Sequence, residues 1–70
     1  MGLIMYKVKF TKYFTKGLIV KGLSIECQLT FATLDAATDY VNWCHKHQEK
    51  PVKSLDRSEY TCHLARIEAN

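Results

Sequence analysis

The sequence predicts an α+β fold of two layers, a ββαβ order in which a three-stranded antiparallel sheet carries one helix on one face. Three observations carry that prediction. Strict alternation of apolar and polar residues marks two early strands, a helical stripe follows them, and a run of strand formers closes the chain.

The first strand is read from Tyr6, Val8 and Phe10 alternating with Lys7, Lys9 and Thr11. The second is read from Leu23, Ile25, Cys27, Leu29 and Phe31 against Ser24, Glu26, Gln28 and Thr30. Such alternation buries one face and leaves the other wet, so the two runs suit an antiparallel hairpin. Their link, residues 12–22, is long for a hairpin and is punctuated by Gly17 and Gly22. Leu18, Ile19 and Val20 within it are expected to extend the second strand.

The helix is predicted over 34–47. Thr33 is the expected N-cap, and Asp35 suits the positive end of the helix dipole. Leu34, Ala37, Val41 and Cys44 share one face, Tyr40 widens that stripe, and Asp39, Asn42 and Lys46 lie opposite. His45, Lys46 and His47 favour the last turn, and Pro51 prevents continuation. Residues 49–58 read as a polar connection with Val52 and Leu55 tucked inward. In the last strand, residues 60–67, Tyr60, Cys62 and Leu64 are expected to face the core, with Thr61 and His63 outward. Its neighbour in the sheet is left open by the sequence.

Seventy residues, 47% of them hydrophobic, form one domain spanning 1–70 and are too apolar for a disordered chain. No apolar run reaches the roughly 18 residues of a membrane span. Met1–Met5 lacks the charge order of a signal peptide, and Tyr6 stands where a myristoylation motif wants Ser or Thr. An odd set of three cysteines favours a reducing compartment, so a cytoplasmic location is expected, that of the host cell if the protein is viral.

The Cys and His residues are the first candidates for chemistry. Cys27, Cys44, His47 and Cys62 form a conceivable zinc set, since Cys44 and His47 stand one helical turn apart. No Cys-x₂-Cys knuckle supports it, and free cysteines commonly act as small core residues. The expected metal and cofactor complement is therefore none. Cys62 and His63 are strand neighbours and face opposite ways, Asp35 and Asp39 belong to a solvated helix face, and the glycines do not form a phosphate loop. A non-enzymatic protein is expected.

The charge is more telling in its distribution than in its total of +3. Up to Leu34, five lysines (Lys7, Lys9, Lys12, Lys16 and Lys21) face one acid, Glu26, a local balance of +4. Tyr13 and Phe14 interleave with them, and Trp43 lies off the main helix stripe. These eight residues, the five lysines and three aromatics, are the predicted partner-binding set.

The expected function is a small binding module that occupies a protein or ribonucleoprotein surface bearing acidic or phosphate groups. Size and layout suggest, by analogy alone, a phage or mobile-element inhibitor of a host machine. A homodimer through a sheet edge is a further expectation. The alternative function is single-stranded nucleic-acid binding by the open sheet face, Lys7, Lys9, Gln28, Thr30 and His63.

Overall fold

A computed structural model describes residues 4–69 of the chain. In order they form β1 (Tyr6–Lys16), β2 (Ser24–Phe31), α1 (Leu34–Lys46), β3 (Val52–Lys53) and β4 (Glu59–Ala69). Gly2, on which the lipidation reading turns, and the start of the leader reading lie outside the described residues.

The α+β class agrees with the sequence; the strand count does not. Four strands make one antiparallel sheet in the order β2-β1-β4-β3. The added strand is β3, where Val52 pairs with Tyr60 and Lys53 with Glu59. Two residues after a proline carry no readable alternation, so local pattern could not reveal them. The last strand takes its place beside β1, which is thereby central.

Alternation assigns the two faces of the hairpin correctly. Val8 pairs with Leu29 and Phe10 with Cys27 on the helix side. Lys7 with Thr30 and Lys9 with Gln28 make up the open side. The core of buried side chains is Val8, Phe10, Ala37, Cys44 and Cys62, with Tyr40, Val41, Trp43 and Ile67 among those packed around it.

Helix α1 starts and stops where the sequence indicates. The Thr33 hydroxyl accepts from the Ala36 N–H at 3.1 Å, and Asp35 sits in the first turn. His47 is the C-cap, and its carbonyl accepts from the Cys62 N–H at 3.0 Å, joining the end of the helix to β4. Ala37 and Cys44 are buried, whereas Leu34, expected on the same stripe, remains half-exposed at the helix start. The helix lies chiefly over β4 and β1, so that first turn overhangs little of the sheet.

Leu64 is a second correction. It has φ 58° and is 75% exposed, outside the core. The β1–β4 register slips between Lys9/Arg66 and Thr11/His63, so Leu64 and Ala65 together oppose Phe10. This β-bulge exchanges the inward parity of β4. Tyr60 and Cys62 face the helix before it, and Ala65 and Ile67 pack against the core after it.

Candidate functional site

The domain is long and narrow, 47 × 20 × 20 Å, and the sheet outruns the helix at one end. Because α1 ends near the level of Cys62, the sheet beyond it supports two turns side by side. These turns, residues 17–23 and 54–58, make the tip of the molecule.

The first turn is set by its glycines. The Phe14 N–H donates to Leu23 O at 2.9 Å and the Gly22 N–H to Phe14 O at 2.8 Å, closing the hairpin below the turn. The Leu23 N–H reaches Val20 O at 2.9 Å, and Gly22 at φ 88° supplies the positive φ that the third residue of a type II turn needs. A Cβ on Gly17 would lie 2.6 Å from Val20 Cγ2, so only glycine lets the chain fold back there. Leu18–Val20 therefore belongs to the turn. It does not extend the second strand, contrary to the sequence expectation.

The second turn excludes Leu55 from the interior for a similar reason. The Arg57 N–H donates to Ser54 O at 3.0 Å and the Ser54 N–H to Ser58 O at 2.9 Å. Arg57, at φ 69°, takes the left-handed position of a three-residue hairpin loop. Asp56 Oδ1 accepts from both the Ser58 N–H and hydroxyl, and the hydroxyl, then the N–H, lowers its carboxyl below the usual value. Ser58 itself is buried against the first turn. Leu55 is left at the crest of the loop, not tucked inward.

Three aliphatic side chains thus stand in solvent at one end of the rod: Leu18 at 106% relative exposure, Ile19 at 91% and Leu55 at 106%. Lys16, Lys21 and Arg57 stand beside Leu18, with the carboxylate of Asp56 among them. Lys16 Nζ lies 3.6 Å from Glu59 Oε2. A shallow cleft between the turns is lined by Lys16, Gly17, Leu18, Lys21, Asp56 and Arg57. An apolar crest beside a mostly cationic cluster suits a partner with an apolar hollow and an acidic rim.

The predicted partner-binding residues do not gather in one patch. Only Lys16 and Lys21 belong to the tip. Lys7, Lys9 and Tyr13 are on the open sheet face, where Tyr13 meets His63 edge-on at 6.5 Å. Lys12 is on the helix side, pairing with Ile25 and Cys62, and its ammonium sits 4.5 Å above the Tyr60 ring. Phe14 packs on the same ring at 5.8 Å. Trp43 lies against Tyr40 at 5.2 Å and His47 at 4.5 Å, partly buried at the rim of the core.

The open face brings Lys7, Lys9, Gln28, Thr30 and His63 together as expected, but it also carries Glu26, Arg66 and Glu68. Lys9 bridges Glu68 at 3.2 Å, and Arg66 reaches Glu26 at 2.9 Å and Glu68 at 3.6 Å. These contacts answer much of its positive charge internally, which weakens it as a phosphate-binding platform.

Cys44 and Cys62 lie inside the core and Cys27 at its margin, all as free thiols. Burial, reinforced by nearby Cys62, pushes the Cys44 thiol up to about 12, opposing the thiolate that zinc requires. His47 Nδ1 is 2.8 Å from Lys50 O, with its ring on Trp43. Among the described residues no group of three or more His, Cys, Asp or Glu is placed to hold a metal, so the four candidate ligands do not assemble.

Sequence reasoning missed Leu55 and Arg57 as surface-site residues, and it left Leu18 and Ile19 out of the partner-binding set. The available signal was a lone leucine inside Ser54-Leu55-Asp56-Arg57-Ser58, a run otherwise made of turn formers and a charge. Among the described residues, no helix is long and apolar enough to cross a membrane. Comparison with known proteins finds no matching family model, no similar curated protein and no similar solved structure.

Proposed function

We propose that the chain is a non-enzymatic binding module that occupies a protein or ribonucleoprotein surface, with the two-turn tip as its contact. One observation carries this reading: Leu18, Ile19 and Leu55 are held in solvent by backbone turns that leave them no route to the core. Exposure of this kind contributes nothing to the folding of the monomer. Burying each such side chain in a partner would contribute about 1.5–3 kcal/mol. The cluster of Lys16, Lys21 and Arg57 favours an acidic partner and speeds encounter with it.

The test places a photo-crosslinking amino acid at position 18 or 55, with position 68 on the open face of β4 as control, in cells that express the chain. Both tip positions should capture one and the same partner, position 68 should not, and Leu18→Ser/Ile19→Ser/Leu55→Ser should abolish capture. Capture from position 68 alone, or a triple variant that binds as before, would refute the tip as the contact. Binding of the purified chain to anionic vesicles, lost in the same variant, would instead identify a lipid surface as its target.

A further inference from the structure

We infer that the free edge of β2 docks a second copy of this chain, the two β2 strands pairing antiparallel about a two-fold axis through Cys27. This inference is independent of the tip.

The sheet has two edges, and they differ in how they are protected. β3 is two residues long, follows Pro51 and contains Lys53. A short strand, a proline and a lysine are the ordinary defences against edge pairing. β2 has eight residues, keeps an unbroken register with β1, and includes neither proline nor lysine. Its one charge, Glu26, is held by Arg66 from across the sheet at 2.9 Å. On its outer side, among the described residues, a row of backbone N–H and C=O groups has no partner strand. Beside that row the helix leaves apolar surface bare, with Ile25 at 45% and Leu29 at 41% exposure and Leu23 and Leu34 similarly open.

Another strand is the occupant that satisfies such an edge, and β2 itself complements it. Outward-pointing backbone groups occur at every second residue, so two identical antiparallel strands can pair only in registers that set one residue opposite itself. In all of these registers residues of the helix-side face meet residues of the same face. An axis at Glu26 would set two carboxylates together. An axis at Cys27 sets Glu26 opposite Gln28, Ile25 opposite Leu29 and Leu23 opposite Phe31 of the second copy. An axis at Gln28 leaves Leu23 without an apolar partner. β2 itself carries no cation; Lys7, Lys9 and Lys12 stand one strand in, beside Thr30, Gln28 and Ile25, where Glu68 answers Lys9 and the Tyr60 ring holds Lys12.

The pairing has a consequence for shape. β2 leads directly away from the tip, so antiparallel copies would hold their tips at opposite ends. About seven residues of extended chain separate each tip from the axis, placing the tips roughly 45 Å apart. Such a dimer would bridge two partners, rather than engage one surface twice.

Light scattering and sedimentation velocity test the inference, with the expected mass twice the 8.1 kDa of one chain. Ile25→Lys/Leu29→Lys changes only exposed side chains, so it should keep the circular dichroism of the fold and sediment as a monomer. Copper-phenanthroline oxidation should yield a dimer linked through Cys27, since residues directly opposite in such a pair have the Cα spacing a disulfide accepts. Cys27→Ser should remove the link and keep the dimer. A wild-type chain that stays monomeric when concentrated overturns the inference. So does a dimer that survives Ile25→Lys/Leu29→Lys, or one that dissolves in Leu18→Ser/Ile19→Ser/Leu55→Ser. A dimer sensitive to the lysine pair but not linked through Cys27 overturns the axis.

Discussion

Replacing Leu64 should invert the usual order of strand preference. At an ordinary strand position valine is favoured and glycine weakens the sheet. Leu64 sits at φ 58° in the bulge, where an L-residue pays about 1–2 kcal/mol and a β-branched one more. Leu64→Gly removes that strain. It also adds roughly 0.5–1 kcal/mol of unfolded-state entropy and forfeits the small part of the side chain that is buried, since Leu64 is 75% exposed. Glycine should therefore match leucine or exceed it by up to about 1 kcal/mol, and Leu64→Val should fall below leucine by about 1 kcal/mol. In a domain of this size each kcal/mol moves Tm by about 4–8 °C, so thermal and urea melts resolve the three proteins. If valine proves more stable than glycine, the bulge does not hold Leu64 in a left-handed conformation, and the parity exchange in β4 needs another cause.

Three further outcomes follow from the same structure. Val8 is 0% exposed at the centre of the core, so Val8→Ala should cost about 2–3 kcal/mol and lower Tm by roughly 10–20 °C in a melt. Leu18→Ser/Ile19→Ser/Leu55→Ser should unfold within about 0.5 kcal/mol of the parent in urea, because it removes no buried surface. Stability should also decline in alkali. Burial, then the charge of Cys62, moves the Cys44 thiol from 9.0 to about 12, and burial, then the charge of Cys44, moves the Tyr40 hydroxyl from 10.0 to about 12. Both groups have folded values above their unfolded ones, so their contribution is complete below pH 9 and is lost as pH rises towards 12. Urea midpoints between pH 7 and 10.5 should be flat at first and then fall, by at most about 1.4 kcal/mol per pH unit for each group. A midpoint unchanged at pH 10.5 would contradict the burial of Cys44.

Local pattern revealed most of the fold and little of the site. The hairpin faces follow from alternation, because a side-chain period of two puts Val8, Phe10 and Cys27 on one face in every register that keeps their parity. The helix bounds follow from Thr33 and the cations of its last turn, which satisfy or complement the helix ends through neighbours in sequence. Leu64 escapes the local pattern because its bulge exists only through pairing with β1. The scattering of Lys12, Tyr13 and Phe14 along β1 has a related cause. Sequence proximity along a strand alternates faces, so a cluster of basic and aromatic residues in the chain becomes two opposed surfaces in the sheet.

By itself, then, the sequence determined an α+β domain with an amphipathic hairpin and one capped helix, since these rest on contacts a few residues apart. Tertiary structure decided the place of β4 beside β1, the bulge that turns Leu64 outward, and the meeting of two turns at one tip. Each of those joins residues about forty or more positions apart, such as Gly17 with Ser58 or Phe10 with Leu64 and Ala65. Their juxtaposition depends on which strands share backbone hydrogen bonds, and no local periodicity encodes that choice.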